Sequence, residues 1–444
     1  MSTKAISSFE RYAMRPVWER ISRILSVAFL RFLAVGLSLV FSIFAARMLG
    51  VTEFGRYTSI MAVVGLFIVA TSAGLPQLVE REVAAARGKS TRENLKPLLQ
   101  AAFLLLLVAL FALVATALVL DVTSFLVAIL IVASLCVGLL GGALTGYERV
   151  STVAIIQSLV RPLVAIIALS GFAVATGKSL DSALLAQVTA TIVAVVALLV
   201  VFRSVNIDLL RSAWKEARSD WRPNVTHRAF VLAGMNFAII QLMINATQQA
   251  EILYLTILTN PDQVAYFFAV SRAGNAVSFF HASVLALHAP TIVRLNAEGR
   301  HVERDREIMR ATKLSFVLTF LAAIGAALLA GPYLHAFGPA FIEAKMAMYV
   351  ILFGWVAAAA FGPSVHVLIM NRQERFVWRS YAISFTLGGC IALICIPMLG
   401  IVGAAISCAT TTTISQLLIS KKGREVIGFV PFCIFKTNRK LSEV

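Results

Sequence analysis

Apolar runs of about 20 residues recur along the whole chain, and no other feature restricts its fold as strongly. Each run is about as long as the helix needed to cross the ~30 Å hydrocarbon core of a bilayer. Of the 444 residues, 59% are hydrophobic and 14% carry a charge. Lipid offers the backbone no hydrogen-bond partners, and the runs are too long and continuous for barrel strands. The sequence therefore predicts an all-α polytopic membrane protein.

Twelve runs qualify as membrane-spanning helices, in two groups of six. We expect a cytoplasmic N-terminal segment at 1–23, a first lobe at 24–203, a cytoplasmic linker at 204–228, a second lobe at 229–420 and a basic cytoplasmic tail at 421–444. The predicted spans are 24–46, 55–79, 98–120, 123–145, 151–175, 182–202, 229–258, 263–292, 312–334, 346–369, 376–398 and 400–420.

Basic residues are distributed unevenly between alternate connections. The connections on one predicted side hold 32 of the 39 Lys and Arg, and those on the other side hold four, namely Arg47, Arg56, Lys178 and Lys345. By the positive-inside rule the basic side faces the cytoplasm, so both termini are predicted there. Topology thus explains the net charge of +17, and no nucleic-acid partner is needed for it.

The two predicted lobes carry matching turn sequences. LGVTEFGRY (49–57) joins spans 1 and 2, and LTNPDQVAY (258–266) joins spans 7 and 8; GYER (146–149) and RQER (372–375) form a second pair. Because each lobe has an even number of spans, the lobes should share one orientation and be related by an axis along the membrane normal. Two such lobes enclose a central cleft, as in alternating-access transporters.

Several stretches resemble a known family. They are FAARMLGVTEFGRYTSIMAVVGLFIVATSAGLPQLVEREVA (44–84), APTIVRL (289–295), LHAFGPAFIEA (334–344), GPSVHVLIMNRQER (362–375) and PMLGIVGAAIS (397–407). Together they are similar to the oligosaccharide flippase (polysaccharide transport) family, whose superfamily also contains multidrug extruders and flippases of peptidoglycan precursors. The resemblance covers roughly residues 40–420 and implies the MATE-like flippase fold. The peptidoglycan-precursor flippases typically have two further C-terminal spans, whereas here a basic tail is expected after span 12.

The resemblance also implies a function. It implies movement of an undecaprenyl-diphosphate-linked oligosaccharide across the bacterial cytoplasmic (inner) membrane, for the synthesis of surface polysaccharide or exopolysaccharide. The implied partners are this lipid-linked oligosaccharide and membrane lipids, with a polysaccharide polymerase and glycosyltransferases as further candidates.

Three arginines lie inside predicted spans: Arg31, Arg161 and Arg272. Charges at such depth usually face a cavity or a partner. Arg161 is near the middle of its span, and Pro162 removes a backbone hydrogen bond and predicts a kink. Arg31 is shallower, so snorkelling to the headgroups and cavity lining are both open for it. For Arg161 and Arg272 we expect a cavity or a buried ion pair, and all three arginines are candidates for binding the diphosphate.

Span 7 is more polar than a lipid-facing helix. Gln241, Asn245 and Gln248 lie on one helical stripe, with Glu251 beside it. The amides can bind sugar hydroxyls or join neighbouring helices, and both interpretations stay open. Glu251 is either the ion-pair partner of an intramembrane arginine or a proton or cation site that couples transport.

No enzyme signature is found in the sequence. It contains no complete phosphate-binding Gly-x-x-x-x-Gly-Lys-Ser/Thr loop, no carboxylate pair placed for glycosyl transfer and no metal-ligand spacing of histidines, so we predict no enzyme, cofactor or metal site. Two other functions stay open beside the flippase. One is ion-coupled multidrug efflux, although its cationic cargo would prefer an acidic cleft. The other is a non-transporting scaffold in a polysaccharide assembly complex.

Overall fold

The computed structural model describes residues 17–72, 74–87, 100, 102, 122–205, 242–243, 245–247, 249–362, 364–365, 368 and 373–427. Over these residues the chain is helical, and they contain no strand. In the first helix, side chains are described from Leu33 onward.

The described residues of the first half of the chain, which we define as residues 17–205, form seven α-helices. Predicted span 5 consists of a helix at Val150–Ile155, one π-helical turn and a helix at Arg161–Ala175, which follow one another without a break. The helices are α1 (Val17–Leu49), α2 (Val51–Ser72), α3 (Leu75–Arg87), α4 (Val122–Gly146), α5 (Val150–Ile155), α6 (Arg161–Ala175) and α7 (Leu180–Ser204).

The second half, defined as residues 242–427, is also helical over its described residues. Its helices are α8 (Gln249–Leu258), α9 (Pro261–Ala297), α10 (His301–Leu328), α11 (Ala330–Phe337), α12 (Lys345–Ala359), α13 (Glu374–Leu399) and α14 (Ile401–Ile427). A short 3-10 helix, Pro339–Ala344, leads into α12.

The lengths of these helices agree with the predicted membrane topology. Within the described ranges, nine helices are long and apolar enough to cross a membrane, and two shorter apolar helices, Leu33–Leu49 and Gln249–Leu258, belong to predicted spans 1 and 7. Nearly all of predicted span 3 lies outside the described residues. The chain is therefore a multi-pass helical membrane protein, as the apolar runs predicted.

Several helix boundaries differ from the sequence-based bounds; α10, for example, begins at His301, eleven residues before the predicted start of span 9. Predicted span 2 is divided, because α2 ends at Ser72 and α3 begins at Leu75 after Gly74, whose φ of 70° is a backbone conformation that favours glycine. The last helix continues to Ile427, seven residues beyond the predicted end of span 12.

The helices pack mainly within their own half. In the first half, α7 packs on both α4 and α6, and in the second half α9, α10, α12, α13 and α14 form a continuous bundle. Between the halves the main contact is made by α2 and α9, at one end of the bundle. This arrangement of two helical lobes is the one that the paired turns predicted.

The interface between the halves, which we call the seam, is formed by the two repeated turns. Thr52 Oγ1 donates a hydrogen bond to Asp262 Oδ1 at 2.7 Å, which joins the start of α2 to the start of α9. Gly55 lies against Pro261 so closely that a Cβ at this position would be 1.9 Å from the Pro261 carbonyl oxygen. The turns at 49–57 and 258–266 therefore lie at the same end of the molecule, as the repeat predicted.

An aromatic cluster fills the seam. Phe54 of the first half is fully buried and inserts between Phe268, 5.5 Å away edge to face, and Phe341, 6.4 Å away. Tyr266 and Phe337 contact the Phe341 ring from the second half, at 5.3 and 5.5 Å between centroids. We call these five rings the aromatic plug, because they close the space between the halves at the seam end.

Candidate functional site

A cavity of about 370 Å³ lies between the two halves, beside the aromatic plug. Its walls come from α1, α2, α6, α7 and the π-helical turn of the first half and from α9 of the second. None of the described residues that line it is a carboxylate. The polar lining consists of Ser38, Ser42, Tyr57, Gln157, Ser158, Arg161, Gln187 and Arg272. We call it the arginine cavity.

Arg161 enters this cavity from an irregular part of span 5. Pro162 has no N–H to donate to the carbonyl of Ser158 four residues earlier. The preceding residues, Ile156–Val160, form a π-helical turn that is closed by a hydrogen bond from the Arg161 N–H to the Ile156 carbonyl. Such turns occur mostly as single insertions in α-helices and are frequent at functional sites. Span 5 thus contains a π-helical turn directly before Arg161, and the kink at Pro162 stays a prediction.

Arg272 reaches the cavity from α9 of the other half. Its guanidinium carbon lies 4.5 Å from the centroid of the Phe268 ring, a distance at which the cation is attracted to the ring face. Its Nε is buried and has no hydrogen-bond partner among the described residues. An unsatisfied buried donor of a charged group is costly, so this position favours a ligand that accepts a hydrogen bond.

Tyr57 lines the cavity together with both arginines. Its side chain is within hydrogen-bonding reach of Gln187, and its phenol is close enough to interact electrostatically with both Arg161 and Arg272. Tyr57 is only 4% exposed. The two guanidiniums, one from each half, therefore lie near the same buried tyrosine.

The arginine cavity is suited to an anion with several acceptor oxygens. It offers guanidinium, hydroxyl and amide donors, and its described lining contains no acid that would neutralise the two positive charges. Arginine binds phosphate oxygens in a bidentate way. Because the cavity is flanked by the aromatic plug, the local dielectric is lower than in water, which strengthens such contacts.

Glu251 lies elsewhere, in a second cavity of about 180 Å³ inside the second half. It is 2% exposed, and its carboxyl group lies within hydrogen-bonding reach of Ser407. Thr247, Ser271 and Asn275 are among the polar residues lining this cavity, and neither arginine is. Across the described part of the chain, Glu251 forms no ion pair with Arg161 or Arg272. The described residues therefore do not support an ion pair between Glu251 and either of these two arginines.

The structure does not place the other predicted site residues in the arginine cavity. Arg31 belongs to α1, but its side chain lies outside the described residues, as do Gln241 and Gln248 as a whole. Asn245 is helical and partly buried. The polar stripe of span 7 and a role for Arg31 therefore stay predictions.

A family comparison gives the chain its place among known proteins. The model of a family described as polysaccharide biosynthesis protein matches residues 22–296, which is more than half of the chain. The chain belongs to this family. The sequence-based resemblance to polysaccharide transport proteins is thereby confirmed. No curated protein sequence matches the chain significantly.

Solved structures show the fold of this polysaccharide biosynthesis family member. A multidrug resistance MATE family transporter of the MOP superfamily, inward-facing, has a TM-score of 0.71 at 13% identity, over 88% of this chain and 94% of that one. A MOP superfamily transporter from Pyrococcus furiosus has a TM-score of 0.65 at 13% identity, over 91% and 95%. The lipid II flippase MurJ has a TM-score of 0.63 at 12% identity, over 89% and 86%. The predicted fold class is thus confirmed.

Sequence reasoning missed several residues of the arginine cavity in this family member. Tyr57 was used only to align the two turns, and Gln187, Gln157 and Ser158 were not singled out. The signal in the sequence was the spacing in span 5, where Gln157, Ser158 and Arg161 are three and four residues apart and therefore share a helix face. Tyr57 and Gln187 offered no such signal, because only the packing of α2 on α7 brings them together.

Proposed function

We propose that this protein is a flippase that moves a lipid-linked oligosaccharide across the bacterial cytoplasmic membrane, with the diphosphate of the carrier lipid bound between Arg161 and Arg272. The observation that carries the proposal is the arginine cavity: arginines from opposite halves line the same cavity, and no described lining residue is a carboxylate. Family membership supports a polysaccharide-related cargo. We further propose that the seam end faces the outside and that both termini are cytoplasmic, because the seam-end turns carry few basic residues.

The cavity also bears on the alternative of multidrug efflux. The fold is shared with MATE transporters, but a cationic drug would meet two unneutralised arginines. One solved relative is described as having a binding pocket of reverse polarity that suggests a different function. The fold therefore accommodates pockets of different polarity, and the arginines of this chain favour an anionic cargo. A scaffold without transport activity would have no use for two uncompensated charges in the membrane.

The test is translocation of labelled lipid-linked oligosaccharide in reconstituted vesicles. A hydrogen bond to a charged group contributes about 1.5–3 kcal/mol, so Arg161→Ala should weaken the apparent cargo affinity roughly ten- to a hundredfold. Arg161→Lys keeps the charge but loses the bidentate geometry and should have an intermediate effect. Arg149→Ala removes an exposed arginine that precedes the same span and serves as the matched control.

The outcome that would contradict the proposal is full transport by Arg161→Ala at a normal yield of folded protein. A cationic drug transported in place of the oligosaccharide would favour the efflux alternative. Transport of neither, with assembly of a polymerase and glycosyltransferases lost on deletion of the protein, would favour the scaffold.

We also propose that Glu251 is the ion-coupling residue. Its carboxyl group is buried in its own polar cavity and has no described cationic partner, which is the setting expected of a group that exchanges a proton or binds a cation. Glu251→Gln should leave oligosaccharide binding intact but make transport insensitive to the proton or sodium gradient. If Glu251→Gln retained the gradient dependence of the parent protein, the assignment would be wrong.

A further inference from the structure

A third recess lies at the surface of the protein, beside the seam. It is a crevice of about 280 Å³ between the two halves, and most of the surface that its lining residues expose to it is apolar. The first half supplies α2 and the start of α7, and the second half supplies the end of α8 and the start of α9. Its lining residues are Arg56, Ser59, Ile60 and Leu180 from the first half and Thr256, Pro261 and Val264 from the second.

The crevice is separate from the arginine cavity. Along α2, Arg56, Ser59 and Ile60 face the crevice, whereas Tyr57 and Met61 face the arginine cavity. Helix α2 therefore stands between the two recesses. A molecule in the crevice does not occupy the space proposed for the diphosphate.

The surroundings of the crevice are those of a lipid-facing surface. Ile257, next to the lining residue Thr256, is 79% exposed, and Val63 on α2 is 39% exposed. Arg56 is five residues after the start of α2, which is about 8 Å along the helix axis at 1.5 Å per residue. An arginine at this depth places its guanidinium at the level of the headgroups while the chain beside it stays in the apolar layer.

Arg56, which lines the crevice, forms an ion pair with Glu53 three residues earlier on α2. Arg56 Nη1 is 3.0 Å from Glu53 Oε1, and 58% of the Arg56 side chain and 30% of the Glu53 side chain are exposed. Both groups keep free hydrogen-bonding capacity, since a guanidinium has five donors and a carboxylate about four acceptor sites. A phosphoethanolamine headgroup carries a phosphate for Arg56 and an ammonium with N–H donors for Glu53. A choline headgroup has no N–H, and a glycerol headgroup has no cation.

We propose that the crevice binds one phosphatidylethanolamine molecule from the leaflet at the seam end, with an acyl chain between the halves and its headgroup on the Glu53–Arg56 pair. Because both halves form the walls, the complete site exists only when the seam is closed. A ligand that binds one conformation better shifts the population toward it. Phosphatidylethanolamine therefore stabilises the conformation with the closed seam and regulates the transport cycle.

The test compares headgroups with identical acyl chains. Lys178 and Lys345, exposed residues of opposite halves at the seam end, are replaced by cysteine in a cysteine-free variant and spin-labelled. Electron-electron distance measurements then give the ratio of closed to open seam in vesicles of phosphatidylcholine alone or with phosphatidylethanolamine. We expect the ratio to rise about threefold with phosphatidylethanolamine, the change that mass action gives at a lipid level of about twice the Kd.

Variants distinguish lipid binding at the crevice from general effects of the membrane on the protein. Glu53→Gln should abolish the difference between the two headgroups, because the ammonium loses its carboxylate. Glu303→Gln is the matched control, since Glu303 forms the same type of exposed i,i+3 pair with Arg300 and lies away from the crevice. Val264→Trp should fill the crevice and remove the effect of phosphatidylethanolamine on the closed-to-open ratio. If this variant does not fold, the result for Glu53→Gln is sufficient to test the proposal.

Two results would overturn the proposal. The first is a closed-to-open ratio that is the same with both headgroups, or a headgroup effect that survives Glu53→Gln. The second is a shift of the same size when a polyprenyl phosphate is added to phosphatidylcholine vesicles, since the crevice would then take the tail of the carrier lipid.

Discussion

A single methyl group added at Gly55 should open the seam. The Cβ of alanine at this position would lie 1.9 Å from the Pro261 carbonyl oxygen and 2.5 Å from its carbonyl carbon. Both atoms belong to the backbone, so no side-chain rotation relieves the clash. To reach an ordinary contact of 3.4 Å, α2 and α9 must separate by about 1.5 Å. Phe54, next in the chain, would lose part of its packing against Phe268 and Phe341.

The size of the effect follows from the cost of overpacking. Extra methylenes in a well-packed interior cost about 1–3 kcal/mol. Since the clash exists only when the seam is closed, this cost lowers the closed-to-open ratio roughly five- to a hundredfold. Helix propensity, which favours alanine over glycine by about 1 kcal/mol, acts on the helix in both conformations and does not reverse the shift.

Disulfide cross-linking across the seam measures this ratio. Thr52 and Asp262, whose side chains are hydrogen-bonded at 2.7 Å, are both replaced by cysteine, and the rate of cross-linking is followed in vesicles. Gly55→Ala should slow cross-linking, whereas Gly65→Ala on the same helix should not, because the nearest atom to its Cβ is Gln249 Nε2 at 3.7 Å. Equal rates in the two variants would refute the reasoning.

Three further predictions concern other parts of the fold. Arg47→Gln removes hydrogen bonds from the guanidinium to the carbonyls of His335 and Ala336, at 2.6 and 2.8 Å, and should lower cross-linking of the same cysteine pair by less than about fivefold; no change at all would show that Arg47 does not hold the seam. Gly142→Ala places a Cβ 2.3 Å from the Pro76 carbonyl oxygen and should destabilise the folded protein by about 1–3 kcal/mol in thermal unfolding, with Gly171→Ala, which meets nothing within 4 Å, as the control that must stay near the parent value. An impermeant thiol reagent added to intact cells should label Lys178→Cys and spare Arg300→Cys, both exposed, and the opposite pattern would reverse the proposed orientation.

The spans were readable from the sequence because one physical requirement dominates them. A helix that crosses a bilayer needs a continuous apolar run of fixed length, and this requirement leaves a strong local signal. Arg161 and Arg272 were singled out for the same reason, since a charge inside such a run is rare. The sequence does not predict that Arg161 and Arg272 line one cavity, because this depends on how two halves far apart in sequence pack together.

The rest of the site depends on long-range packing. Phe54 and Tyr57 belong to a turn that was noted only as a repeat, and no local pattern indicates that one ring fills the seam and the other lines the arginine cavity. The π-helical turn before Arg161 was likewise not predicted; Pro162 indicates an interrupted hydrogen-bond pattern, but local sequence does not say which form the interruption takes.

Phe268 belongs to two contacts at once. One face of its ring holds the Arg272 guanidinium at 4.5 Å, and its centroid lies 5.5 Å from that of Phe54 in the aromatic plug. The attraction between a cation and a ring depends on how much of the positive charge other ligands satisfy. If an anion binds Arg272 as proposed, it would weaken the contact between the guanidinium and Phe268, whose ring packs directly on Phe54 of the plug. The side chain of Phe268 thus connects the seam with the arginine cavity.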